Sequence, residues 1–257
     1  MTNTISQSTI RDFLTCRYLY LLKHKRGLVP ATEDSAEGSE RQVAARRGQQ
    51  FHRAAQQYFS GLDSDSVQST IQDSAVRAWF EQFVDRGIIG VPDNRSVEAW
   101  VTAPLADRVL VARYDLIAWD SDRLVICDWK TGSRPSEDPR TQIQTIVYRY
   151  VAARGARAAT GVAYAPDQIE VRYWYVRDSA PVLQIAYSQE EFERDKAHLE
   201  ALIAEVASCT DFPKTENLEA CGACLYRAVC RPDVPARAWL PDDDDSLVPD
   251  DAGWSEL

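Results

Sequence analysis

Residues 111–132 read VARYDLIAWDSDRLVICDWKTG. Val, Ile, Leu, Tyr and Trp fill both halves of this stretch, and Asp120-Ser121-Asp122-Arg123 supplies turn chemistry between them, so it predicts a β-hairpin. If the hairpin closes symmetrically about Ser121–Asp122, paired residue numbers sum to 243. Asp115 then faces Asp128, and Arg113 faces Lys130. Asp128 and Lys130 are two apart on a strand and share a face. Directly opposed side chains have Cβ atoms ~4.5–5.5 Å apart, and like charges there destabilise. Facing carboxylates flanked by Ile117, Trp119, Leu124 and Ile126 therefore call for a countercharge. A divalent cation supplies one, because Mg²⁺ is typically held by one or two carboxylates plus phosphate and water. Lys130 is placed to orient or deprotonate a nucleophilic water, or to steady charge on a phosphate. Tyr114, Leu116, Ala118, Val125, Cys127 and Trp129 form an apolar opposite face, as expected of strands covered by helices.

Working outward, helical and strand periodicities alternate along the chain. Ser6 and Ser8 are cap candidates for a helix carrying Ile10, Phe13, Leu14, Tyr18, Leu21 and Leu22. Residues 31–40 read as a loop, and 40–59 and 68–86 as helices. Segments 96–103, 108–119 and 123–129 read as strands, 140–154 as a helix, and 161–165, 169–177 and 181–187 as further strands. Residues 189–208, QEEFERDKAHLEALIAEVAS, form an amphipathic helix. This order predicts an α/β fold, a mixed central sheet flanked by helices, with a helical N-terminal part and a Cys knot at the C-terminal end. Residues 1–232 are expected to be one domain, and 233–257 an acidic, disordered tail.

At 257 residues, 45% hydrophobic and 26% charged, the chain can bury a core without disulfide staples. The composition excludes collagen-like and wholly disordered classes. No apolar run reaches the ~18 residues of a membrane span, and MTNTISQSTIRDF lacks the plan of a signal peptide, so a cytoplasmic setting is expected. Net charge is −10. Residues 240–257 hold seven acids and no Lys or Arg, and without them the balance is 29 − 32 = −3. Residues 1–60 carry nine Lys/Arg against five Asp/Glu, while 139–158 hold Arg140, Arg149, Arg154 and Arg157 and no acid. A basic surface is expected there, with the tail either a solvated segment or a competitor for it.

Six cysteines occur. Cys127 falls on the apolar strand face, and Cys209 ends a helix without an evident partner. The other four form Cys16…Cys221-x₂-Cys224-x₅-Cys230. In a cytosolic setting this spacing argues for metal rather than disulfides. All-Cys ligation suits zinc or an iron–sulfur cluster.

The motifs together resemble a known family. Asp128-Trp-Lys130-Thr-Gly132 resembles the D-Y-K-T-G block of RecB-type nucleases in the PD-(D/E)XK superfamily. Asp115 resembles that family's preceding metal-binding Asp in a G-x-x-D pattern, with Ala112 in place of the Gly. Gln144 and Tyr148 match its Q-x-x-x-Y, and Gly48-Gln-Gln-Phe51-His52 its G-x-x-F-H helix. The motifs occur in the family's order and span residues 16–230. The resemblance implies a restriction-endonuclease-like core and a metal-dependent deoxyribonuclease leaving a 5′-phosphate and a 3′-hydroxyl. It implies His52, Asp115 and Asp128 as ligands of Mg²⁺ or Mn²⁺, and Lys130, Gln144 and Tyr148 as further catalytic residues. Glu98 could join the metal site or stand in solvent.

The cysteine set is similar to the staple of AddB and of CRISPR-associated RecB-like exonucleases, which implies a 4Fe–4S cluster on Cys16, Cys221, Cys224 and Cys230, with Arg17 where Pro is common. DNA is the implied partner, in repair or CRISPR adaptation. No G-x-x-x-x-G-K-[ST] is present, so any helicase, like any CRISPR integration protein, is a separate chain. The alternatives are a catalytically weak DNA-binding or scaffold subunit and a zinc-stapled repair nuclease.

Overall fold

The structure, a computed structural model, describes residues 4–30, 40–87, 90–178 and 181–235. The loop expected at 31–40 lies outside them but for residue 40, and the acidic tail lies outside them from 236 onward. A short strand β1 (Thr4–Ser6) leads into α1 (Gln7–Thr15), α2 (Arg17–Tyr20) and a π-helical turn at Leu21–Lys25. Helices α3 (Glu40–Phe59), α4 (Ser64–Thr70) and α5 (Ser74–Arg86) follow. Strands β2 (Asn94–Leu105), β3 (Arg108–Trp119) and β4 (Leu124–Lys130) precede α6 (Ile143–Thr160). The chain continues through β5 (Ile169–Tyr175), β6 (Leu183–Ala186), α7 (Gln189–Ser208), α8 (Leu218–Ala223) and α9 (Arg227–Cys230).

The six strands form one mixed sheet. β2 pairs antiparallel with β3 along the whole of one edge. The other edge of β3 is shared: β1 pairs with it in parallel at Val109–Val111, and β4 antiparallel at Leu116–Trp119. β4 then pairs in parallel with β5, and β5 antiparallel with β6. The hairpin register is the expected one, with Leu116↔Cys127 and Trp119↔Leu124 summing to 243. The ladder nevertheless stops at Leu116↔Cys127, one pair short of Asp115 and Asp128.

Each face of the sheet is covered. On one side Val147, Val151 and Ala156 of α6, Leu199 and Ile203 of α7, and Ile10 and Phe13 of α1 pack on Leu110, Ile117, Ile126 and Val171. On the other, Phe51 and Ala55 of α3 and Phe80 and Phe83 of α5 pack on Leu116, Val125, Cys127 and Trp129. Burying each of these large side chains contributes about 1.5–3 kcal/mol.

Tyr114 falls on the α6 side, not with Leu116 as strict alternation predicts. The alternation slips by one residue at two facing positions. On β3, Leu110, Ala112 and Tyr114 lie on the α6 side and Leu116 on the α3 side. On β2, Ala99 and Val101 lie on the α6 side, while Val97 packs on the other. Between the flanking pairs Val97↔Leu116 and Ala99↔Tyr114, Glu98 has φ +50° and makes no ladder pair with Asp115. A non-glycine residue at positive φ inside a strand is strained, and such a local slip re-aims side chains as a β-bulge does.

Several element boundaries depart from the sequence reading. The helix expected over 68–86 is two, because Asp63 caps α4 and Asp73 caps α5 through Ala75 N–H and Val76 N–H. The N-terminal helix breaks at Cys16, which leaves helical geometry and re-caps α2 through its sulfur. Residues 161–165 are not a strand. Gly161, in left-handed geometry, ends α6, and Pro166 opens a 3₁₀ turn. β1 was not foreseen, because three residues carry too little periodicity. Arg149 is a correction to the expected basic surface. It is buried in α6, where its Nε and Nη2 donate to Asp195 of α7 (Nη2–Oδ1 2.8 Å) and its Nη1 to Glu191 (3.4 Å).

Helix α6 lies against the β2 backbone at Gly155, where an added Cβ would stand 2.1 Å from the Thr102 carbonyl oxygen. Backbone cannot yield as a flexible side chain can. Gly155→Ala is therefore expected to destabilise the protein by at least about 3 kcal/mol, the upper end of ordinary overpacking. Urea unfolding would show it as a lower midpoint at unchanged slope.

Candidate active site

The site lies where the shared edge of β3 opens. Over 112–115 that edge pairs with neither β1 nor β4. Side chains take up backbone groups there: the Trp129 N–H donates to Asp115 Oδ2 (2.7 Å), and the Tyr148 hydroxyl to the Arg113 carbonyl (2.9 Å).

Two clusters meet at this opening. On the α3 side, Phe51 and Ala55 are fully buried and fix the helix, so that His52 reaches the sheet. Its Nδ1 lies 3.1 Å from Asp115 Oδ1. Glu98 approaches from β2, and ligand atoms of His52, Glu98 and Asp115 lie within 4.8 Å of one another. Arg113 Nε stands 3.3 Å from Glu98 Oε2. Burial, and next the Asp115 carboxylate, push the Glu98 carboxyl above its ordinary range, against the opposing pull of Arg113 and His52. Two carboxylates and an imidazole form a donor set that fits a divalent cation such as Mg²⁺ or Mn²⁺.

On the α6 side, Asp128 is 4% exposed, too buried to hold its charge without partners. Lys130 Nζ lies 2.8 Å from its Oδ1. Gln144 Nε2 donates to Oδ2 (3.2 Å), and the Tyr148 hydroxyl is 3.1 Å from the same oxygen. Lys130 also donates to Gln144 Oε1 (2.8 Å) and lies over the Tyr173 ring at 5.3 Å. Gln144 and Tyr148 are one helical turn apart, so both face β4. The structure thus joins Asp128, Lys130, Gln144 and Tyr148 in one network, and His52 with Asp115 in another that includes Glu98. The clusters adjoin, because the amide that Asp115 accepts from belongs to the residue after Asp128.

Some contributors were not fixed by the sequence. It leaves Glu98 open between the metal site and solvent, since nothing in a single sequence marks positive φ. Tyr173 sits beside Asp128 through parallel pairing of β4 and β5, which hydrophobic pattern does not specify. Tyr114 and the Arg149–Asp195 pair hold α6 in place: the buried Tyr114 hydroxyl donates to the Tyr148 carbonyl (2.9 Å).

Cys16, Cys221, Cys224 and Cys230, from opposite ends of the chain, line one cavity together with Tyr18 and Leu22. Burial raises the Cys224 thiol, and the neighbouring Cys16, Cys230 and Cys221 add to the effect after an opposing backbone hydrogen bond from Tyr226. Four convergent thiols fit a thiolate-bound metal group. Cys127 is plain core: burial pushes its thiol up to about 12. Among the described residues, no helix is long and apolar enough to cross a membrane.

A cation donor set beside a buried Asp–Lys pair, at the opening of a mixed sheet, is the arrangement of a metal-dependent phosphodiesterase. The family model of the PD-(D/E)XK nuclease superfamily matches residues 4–231, and the chain belongs to that superfamily. Among solved structures, a protein from Eubacterium rectale described as a "Putative exonuclease" is 13% identical, with 95% of this chain and 93% of that one covered and a TM-score of 0.56. That likeness is one of fold. The structure of SSO0001 is 12% identical, covering 90% of this chain and 87% of its own, with a TM-score of 0.40. No curated protein is a significant match.

The raised Glu98 carboxyl gives a test of the site without any substrate. Its folded form holds a proton more tightly than the unfolded chain, so the stability it contributes is full at low pH and is lost as pH rises above 4.5, the ordinary value. Glu98→Gln is expected to raise the melting temperature of metal-free protein at pH 7, with the gain closing as pH falls through that value. The rise in melting temperature on adding Mn²⁺ is expected to shrink in the same variant.

Proposed function

We propose that the protein is an Mg²⁺- or Mn²⁺-dependent deoxyribonuclease, an exonuclease on single-stranded or end-containing DNA, acting in DNA repair or CRISPR adaptation. The observation that carries this reading is the convergence of His52, Glu98 and Asp115 beside the Asp128–Lys130–Gln144–Tyr148 network. Family membership supports the chemistry, and the likeness in fold to a protein described as a "Putative exonuclease" is consistent with the mode of action.

His52, Asp115 and Asp128 are the residues assigned to the ion, with Glu98 as a further donor. When bound, the cation supplies Lewis acidity and lowers the pKa of a coordinated water. The chain's own residues do the rest. Asp128 holds Lys130 in a close ion pair, from which its ammonium can orient a water or neutralise a phosphate oxygen. Gln144 fixes both partners at once, accepting from Lys130 and donating to Asp128. Tyr148 ties this network to the β3 backbone through the Arg113 carbonyl. The complete residue set favours an active enzyme over the scaffold alternative. Lys130→Ala is expected to lower Mn²⁺-dependent cleavage of end-labelled DNA by at least about 10²-fold. An unchanged rate would contradict the assignment.

We further assign a 4Fe–4S cluster to Cys16, Cys221, Cys224 and Cys230. The set has one C-x₂-C pair plus two separated single cysteines, unlike the two close pairs usual in zinc ribbons, and this ligand pattern around a common cavity supports the cluster over zinc. Its role is to tie α2 to the C-terminal helices, because metal-binding free energy is folding free energy. Anaerobically purified protein is expected to absorb in the visible, and Cys221→Ser to lose that absorbance together with thermal stability. A zinc-loaded, iron-free wild type prepared in the same way would overturn the cluster.

A further inference from the structure

Trp100 is 47% exposed, although it sits in the middle of β2. A single exposed apolar side chain is ordinary on a protein surface. This one has a particular placement. Trp100 pairs directly with Arg113 across the β2–β3 ladder. The Arg113 guanidinium carbon lies 5.6 Å from the centre of the indole ring. The same guanidinium reaches Glu98, two residues before Trp100, and the Arg113 carbonyl accepts from Tyr148. Arg113 in turn stands two residues before Asp115. Trp100 and Arg113 are therefore each two residues along the chain from a cation donor, Glu98 and Asp115 respectively, and the guanidinium itself touches Glu98.

We propose that Trp100, held by Arg113, is a stacking platform for an unpaired nucleobase next to the phosphate being cleaved. This deepens the nuclease reading and rests on it. Indole has two flat, polarisable faces that stack on any base: the Arg113 guanidinium lies over one, where it adds positive charge for a passing phosphodiester backbone, and the opposite face is the one that takes the base. The ion pair with Glu98 and the cross-strand pairing limit the rotamers Arg113 can adopt, so little freedom is lost when a base docks. A base inside a duplex has both faces covered by its neighbours, whereas a base in a single strand or at a frayed end does not. The platform thus selects single-stranded nucleic acid, with little preference among bases.

The test is fluorescence anisotropy with labelled single strands, in EDTA so that no strand is cut. One strand carries bases, and a second of equal length is abasic. Wild type, Trp100→Phe and Trp100→Ala are compared on each. On the base-bearing strand, Trp100→Ala is expected to bind about tenfold more weakly and Trp100→Phe to keep most of the affinity. On the abasic strand the wild type is already weakened by a similar factor, and Trp100→Ala adds little further loss. Equal binding by wild type and Trp100→Ala, or an equal loss on both strands, overturns the platform. Cleavage by wild type in Mn²⁺ is scored in parallel. Cleavage without base-dependent binding sinks the platform alone, whereas base-dependent binding without cleavage supports the platform and sinks the nuclease reading.

Discussion

Because β1 and β4 share one edge of β3, the backbone of residues 112–115 has no strand beside it on that edge. Buried peptide groups must still be satisfied. Here the Asp115 carboxylate and the Tyr148 hydroxyl answer the Trp129 N–H and the Arg113 carbonyl. The residues that close the gap in the sheet thus belong to the candidate site. The slip in side-chain alternation at Glu98 and Asp115 belongs to the same opening. It turns Asp115 toward His52 of α3 while Asp128 turns toward α6. A regular ladder would leave the two aspartates as opposed like charges with nothing to do.

Helix α6 carries Gln144 and Tyr148, so its position is as constrained as the sheet's. Gly155 lets it rest on the β2 backbone, the Tyr114 hydroxyl bonds its Tyr148 carbonyl, and the buried Arg149–Asp195 pair joins it to α7. Such a pair adds little net stability over a well-packed apolar contact, but losing one partner strands the other charge. Its effect is to fix the lateral position of the helix and thereby the reach of Gln144 toward Lys130 and Asp128. At the opposite end, the thiols of Cys16, Cys221, Cys224 and Cys230 gather the N-terminal helices and the C-terminal segment around one cavity.

Much of this was legible in the sequence because the hairpin at 111–132 carries both its turn and its alternation in plain view. The register summing to 243 follows from the turn alone, and the Gln144/Tyr148 pairing follows from helical spacing. The rest was hidden for physical reasons. Parallel pairing of β4 with β5, which brings Tyr173 beside Asp128, leaves no trace in hydrophobic pattern. The backbone of Glu98 adopts a conformation that its residue type does not announce. Arg149 looked like a surface charge because its partner, Asp195, lies on another helix. Asp63 and Asp73 split one apparent helix because capping outweighed a continuous apolar stripe.

The central claim is that opening the sheet at β3 creates a cation site of defined membership. Crystals soaked in Mn²⁺ and measured near the manganese absorption edge test it most directly, since anomalous scattering locates the ion independently of any assay. The account predicts an anomalous peak within bonding distance of His52, Asp115 and Asp128, with Glu98 as a further donor. A peak elsewhere on the protein, or none at this position under saturating Mn²⁺, would contradict it.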